Sequence, residues 1–148
     1  MPIRYAPTPG LVVICDYSKG FKKPEMVKER LGVVVSKRLP HRDGLCTVVP
    51  LSTSPSRSGV KYQCKVELPI EAPDPYPGKI KWAKADMLAT VGYHRLELPY
   101  SKRDPNTGRR KYIQIKLPAQ ELEKIQIAML FALGFEQFAE QLIVDKKG

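Results

Sequence analysis

Proline and glycine interrupt the chain between Pro9 and Pro118 so often that its apolar runs are short, and those runs are rich in valine. Short β-branched runs bounded by turn residues read as strands. Leu11–Asp16 follows Pro9-Gly10, Leu31–Ser36 follows a lysine-rich loop, and Leu45–Leu51 follows a turn at Asp43-Gly44. Their close spacing predicts an antiparallel meander. Lys61–Leu68, Ile80–Lys84 and Leu88–Leu98 are further strands or strand ends. Asp104-Pro105-Asn106-Thr107-Gly108 is a turn signal that places a hairpin between Leu96–Tyr100 and Tyr112–Leu117. Its arms would carry Lys102, Arg103, Arg109, Arg110 and Lys111.

The period changes after Pro118. Leu122, Ile125, Met129 and Leu133 recur at helical spacing, Pro118 suits a helix start, and Gly134 suits a stop. Phe135, Phe138, Leu142 and Ile143 continue the stripe on a second short helix, and its period reads as core packing. The expected fold is mainly β with C-terminal α: a small, curved antiparallel sheet or barrel closed by C-terminal helices. Its 148 residues suffice for one domain with a real core.

Charge narrows the partners. Lys and Arg total 25 against 15 Asp and Glu, a formal charge of +10. That excess favours a polyanion: nucleic acid first, an anionic membrane surface second. The start, Met1-Pro2-Ile3-Arg4-Tyr5-Ala6-Pro7, lacks the apolar run of a signal peptide, and no stretch is long enough to span a bilayer. A cytoplasmic protein is expected. Cys15, Cys46 and Cys64 stand apart, as buried free thiols would. With only His41 and His94 besides, neither a metal site nor a cofactor is expected.

Ordered blocks over roughly residues 9–96 resemble the PemK/MazF toxin family. Pro9-Gly10-Leu11-Val12-Val13-Ile14-Cys15-Asp16 matches its opening Pro-Gly, strand and Asp. Pro24-Glu25-Met26-Val27-Lys28-Glu29-Arg30-Leu31 matches the loop Glu and the Arg that opens the next strand, with Leu31 where the family usually has Pro. Val48-Val49-Pro50-Leu51-Ser52-Thr53 matches a strand running into Pro-Leu-Thr/Ser-Thr. Lys84-Ala85-Asp86, Thr90-Val91 and Arg95-Leu96 match the last block.

The resemblance implies an SH3-like small antiparallel β-barrel of the PemK/MazF/CcdB kind with C-terminal helices. One domain would span 1–148, with the barrel at about 8–117, an inserted basic hairpin at about 96–117 and the helices at about 119–144. It also implies a homodimer that cuts single-stranded RNA without a metal and is neutralised by a cognate antitoxin, with no membrane partner. Pro24 stands at or near the place where some relatives carry a catalytic His, and 72–78 and 100–112 look like insertions.

Metal-free RNA cleavage needs a base at the 2′-hydroxyl, a cation at the phosphate oxygens and a proton for the leaving oxygen. Arg30 is the expected cation, its guanidinium fork suited to phosphate. Ser52 and Thr53 offer hydroxyls, either of which fits the family's position, and Glu25 is the candidate base. Lys22, Lys23, Lys28, Lys84 and Asp86 are candidate substrate contacts. His41 and His94 are weaker acid–base candidates, and Trp82 and Tyr17 could stack bases. Two other readings remain open: a non-catalytic nucleic-acid-binding module on the same barrel, and, third, a gyrase poison. The last relies on a Trp-Gly-Ile tail, whereas this chain ends Val144-Asp145-Lys146-Lys147-Gly148.

Overall fold

The computed structural model describes residues 2–147, with side chains through Asp145. The chain runs β1 (Val12–Asp16), β2 (Glu29–Val34), β3 (Leu45–Ser52), β4 (Cys64–Glu67), β5 (Ile80–Ala83), β6 (Ala89–Gly92), β7 (Leu96–Glu97), α1 (Ala119–Ala132) and α2 (Glu136–Lys147). The strands form one seven-stranded sheet in the order β4-β5-β3-β2-β1-β7, with β6 also on β3. Every ladder is antiparallel. The fold is therefore a mostly antiparallel sheet with two C-terminal helices, as expected, and the β1-β2-β3 meander is present.

Continuous valine runs, rather than strict alternation, mark strands covered on both faces. Val12, Ile14, Leu31, Val33, Val49 and Leu51 point into one cluster, completed by Val66, Ile115, Leu117 and, from α1, Ile125 and Ala128. Val13, Cys15, Val34, Cys46 and Val48 point into the other, under Ile3, Val91 and Leu96. Fully burying each valine, leucine or isoleucine among them stabilises the fold by about 1.5–3 kcal/mol.

Gly10 shows why Pro9-Gly10 precedes β1. Its φ of 98° is a conformation that L side chains rarely adopt. In that pose its N–H donates to Val34 O at 2.8 Å, and its carbonyl accepts from Leu117 N at 2.9 Å. The turn thus ties β1, β2 and the start of α1 together. Gly134, at φ 81°, ends α1, and Phe135 N–H reaches back to Leu130 O at 2.7 Å.

Leu88–Leu98 holds short strands, as expected: a 3₁₀ turn over Tyr93–Arg95 separates β6 from β7 and carries His94. Other expectations need correction. The fourth strand covers only Cys64–Glu67. Tyr17, a proposed base-stacking residue, is fully buried and packs edge-on against Phe21 at 5.2 Å. The helical stripe is core only in α1. Leu133, Phe135, Phe138 and Leu142 are exposed, Phe138 at 55%. Helical period shows which residues share a face, not that the sheet is wide enough to cover it.

The predicted hairpin forms, loosely: Tyr100 bridges Tyr112, and Ser101 N–H donates to Lys111 O at 2.9 Å. Its five basic residues are all exposed, and Arg110 lies over the Tyr100 ring at 4.4 Å. All three cysteines are free, with Cys15 and Cys46 buried and Cys64 half-buried. Burial pushes each thiol up to about 11, so they stay protonated at neutral pH. No helix among the described residues is long and apolar enough to cross a membrane.

Candidate active site

Arg30 is the second residue of β2 and pairs with Cys15 of β1. Strand position fixes its backbone, so its guanidinium leaves the sheet in a set direction. The side chain is half-buried, and its Nε is shut off from solvent with no hydrogen-bond partner. An unpaired buried donor is costly, about 1–3 kcal/mol and more for a charged group. Such a group needs an occupant to satisfy it or a reason to be kept.

A cavity of about 230 Å³ opens at that guanidinium. Glu29, Arg30, Leu31, Leu51, Thr53, Pro75, Tyr76, Pro77 and Lys81 line it. Two expected residues, Arg30 and Thr53, thus meet. Thr53 is there because β3 ends at Ser52 and releases it into an exposed turn. Ser52 points elsewhere: its Oγ accepts the Ser54 N–H at 3.0 Å, an ordinary turn bond.

The other wall comes from the proline loop and β5. Lys81 is only 2% exposed, and its Nζ donates to the carbonyls of Tyr76, at 3.1 Å, and Pro77, at 2.9 Å. Burial lowers its pKa, an effect partly opposed by Glu71. Glu71 in turn accepts the Gly78 N–H at 2.9 Å, closing the base of the loop. Tyr76 Oη donates to Glu29 Oε1 at 3.1 Å. Burial and the nearby carboxylate raise the phenol's pKa, so it remains a neutral donor.

Glu25 and Asp86 lie on a different cavity, of about 350 Å³, with Tyr17, Phe21, Pro24, Met26 and residues 87–89. Glu25 caps its own loop there, accepting the Lys22 N–H at 3.0 Å. Asp86 accepts from Gln63 Nε2 at 2.9 Å, and Lys84 donates to Gln63 Oε1 and to Ser54 O. Desolvation lowers the Lys84 pKa, opposed by Asp86. Lys84 and Asp86 therefore brace the turn after β3. Lys22, Lys23 and Lys28 are exposed on the first loop. Arg95 holds that loop, donating to the carbonyls of Asp16 and Lys19 and lying over the Phe21 ring at 4.8 Å. His41 sits in an exposed turn, and Trp82 is half-buried on β5 opposite Ser52.

This sheet, with an arginine opening β2 and a hydroxyl turn closing β3, can be set against known proteins. A family model described as PemK-like, MazF-like toxin of type II toxin–antitoxin system matches residues 8–130. The chain belongs to this family. It is 30% identical over 142 residues to an uncharacterized Haemophilus influenzae protein, covering 88% of this chain and 92% of that one. Its fold is similar to MazF from Deinococcus radiodurans, with a TM-score of 0.56 at 19% identity over 88% of this chain and 99% of that one. It is also similar to an endoribonuclease from a mycobacterial species, with a TM-score of 0.54 at 19% identity over 90% and 97%. The PemK/MazF match takes in both cavities, the proline loop, the hairpin and most of α1, and stops before α2.

Reading residues alone missed Glu29, Tyr76 and Lys81. Strand alternation held the signal for Lys81: along Ile80-Lys81-Trp82-Ala83, the lysine and Ala83 are the buried pair. The large apolar Trp82 draws the expected inward face to the other register.

Proposed function

We propose that this PemK/MazF-family chain is a toxin endoribonuclease that cleaves single-stranded RNA, without a metal, by attack of the 2′-hydroxyl on the adjacent phosphate. The observation that carries this is the half-buried Arg30, its Nε unpaired, lining one cavity with Thr53. Arg30 would hold the non-bridging oxygens as negative charge builds on them, and the Thr53 hydroxyl would donate to the same group. Arg30 and Lys81 give the cavity two cations to one carboxylate, Glu29, which suits a phosphate rather than a metal ion. DNA lacks the attacking hydroxyl and should resist.

The exposed basic arms at Lys102, Arg103, Arg109, Arg110 and Lys111 would track the RNA backbone, as would Lys22, Lys23 and Lys28. We further propose one cytoplasmic domain over the whole chain, assembling as a homodimer and neutralised by a cognate antitoxin. The exposed Leu133, Phe135, Phe138 and Leu142 supply apolar surface for such contacts. The test is incubation of purified protein with mixed-sequence RNA in EDTA, followed by end mapping. Cuts at a recurrent sequence, with 2′,3′-cyclic phosphate ends, are expected. Salt-sensitive RNA binding with no cuts would instead select the non-catalytic binding module.

A further inference from the structure

We infer that Glu29, rather than Glu25, is the carboxylate that takes the 2′-hydroxyl proton, held in place by Tyr76 on the Lys81-pinned proline loop. The inference rests on the ribonuclease reading above. A base must share a cavity with the phosphate-binding cation, because the attacked phosphorus and the 2′-oxygen belong to adjoining atoms of one nucleotide step. Glu29 lines the cavity of Arg30 and Thr53, and Glu25 lines the other.

Glu29 is also poorly explained by folding. It is the register partner of Asp16, so two carboxylates face each other at the end of the β1–β2 ladder. Like charges directly opposite destabilise a strand pair. A glutamine would accept the same Tyr76 hydrogen bond without that repulsion. A residue that breaks a local rule at the mouth of a cavity is a candidate for function.

The surrounding wall is rigid where it needs to be. The Lys81 ammonium fixes two successive carbonyls of the loop, and Glu71 fixes its far end at Gly78. That places the Tyr76 hydroxyl on Glu29 Oε1, and Oε2 would take the substrate proton. In the step, the 2′-O–H proton passes to Glu29 as the 2′-oxygen bonds phosphorus. The P–O5′ bond breaks, and the 5′-oxygen takes a proton from water. The products are a 2′,3′-cyclic phosphate and a 5′-hydroxyl, and Glu29 returns its proton to water.

The charged and titratable groups around Glu29 define the controls. Arg30, Tyr76 and Lys81 face it across the cavity. Asp16, His94, Arg95 and Glu97 share a smaller cleft with it on the other side. His94 is the competing candidate base in that cleft.

The experiment is single-turnover cleavage of an oligoribonucleotide at several RNA concentrations by wild type, Glu29→Gln, Tyr76→Phe and His94→Gln, with circular dichroism to confirm folding. Glu29→Gln should lose about 10²-fold or more in saturating rate at unchanged RNA affinity, the scale of a lost general base. Tyr76→Phe should lower the saturating rate by about tenfold at unchanged RNA affinity, because the donor that holds the carboxylate is lost. His94→Gln should lose far less than Glu29→Gln. A folded Glu29→Gln protein within about threefold of wild type overturns the assignment and leaves the ribonuclease reading intact. A wild type that cuts no RNA removes both.

Discussion

The chain entering β2 contributes to two cavities of opposite character. One holds Arg30 and Lys81 against a single carboxylate, with the arginine Nε unpaired. The other holds Glu25 and Asp86 beside Tyr17, Phe21 and Met26, and both carboxylates already have hydrogen-bond partners. The bonds of Glu25 and Asp86 hold their own loops and turns together, whereas the Arg30 Nε has no partner in the fold. The contrast separates residues that a linear motif sets side by side. Glu25 and Arg30 stand five positions apart in one block, yet they face different spaces.

The strongest way to break the comparison is at Arg30. Arg30→Ala removes charge and fork, and should lower single-turnover cleavage by roughly 10²-fold or more, the cost of losing one preorganised donor. Arg30→Lys should fall between, keeping charge without bidentate geometry. RNA affinity should change far less than rate, because many other cations bind the backbone. Glu25→Gln should cost less than Arg30→Ala, since it loosens a loop rather than removing a phosphate ligand. Equal rates for wild type and folded Arg30→Ala would take the cationic cavity out of the mechanism.

Thr53 and Ser52 sharpen it at closer range. Thr53→Ala should slow cleavage by about tenfold, one neutral hydrogen bond to the phosphate group, near 1.4 kcal/mol. Ser52→Ala should leave cleavage within about twofold and cost about 1 kcal/mol of stability through the missing turn bond. The reverse order, read by single-turnover rates and urea melts, would mean that Ser52 supplies the hydroxyl.

How much of this was readable without coordinates follows from the range of each interaction. The β1-β2-β3 meander, the hairpin and the Gly134 stop are local, written in valine runs and turn residues. So was the position of Arg30 at a strand start. The Thr53 and Ser52 hydroxyls could not be told apart, because their fates differ by one residue at the end of β3. The Lys81–Tyr76–Glu29 wall joins β5, a loop and β2, and no short-range pattern encodes it. The exposed face of α2 was misjudged for the same reason: periodicity does not report what lies opposite.

The basic hairpin tests the remote end of the proposed interface. Neutralising Lys102, Arg103, Arg109, Arg110 and Lys111 should weaken RNA binding and flatten its salt dependence, by about 0.7 of log–log slope for each single-strand phosphate that these cations pair with. Saturating cleavage rates should hold within a few-fold, since these side chains lie outside both cavities. An unchanged slope, measured by titration at several salt concentrations, would place the RNA path elsewhere.

The smallest expected effect lies at Asp16, the last residue of β1, where the first loop departs toward the Glu25 cavity while Glu29 pairs opposite. Its carboxylate accepts from both the Ser18 hydroxyl and the Ser18 N–H, and these bonds hold its pKa below the usual carboxylate value. A carboxyl whose pKa is depressed by folding adds stability above its unfolded pKa, near 3.9, and loses it as pH falls through the folded value. Asp16 is partly open to solvent, and screening keeps the contribution below about 1 kcal/mol. Asp16→Asn can still accept both Ser18 bonds but does not titrate. Its thermal stability should therefore fall less steeply than wild type between about pH 4 and pH 2, with the two closest at the acid end. Thermal melts across that range decide the matter. Identical acid limbs would mean that the Ser18 bonds do not favour the ionised carboxylate.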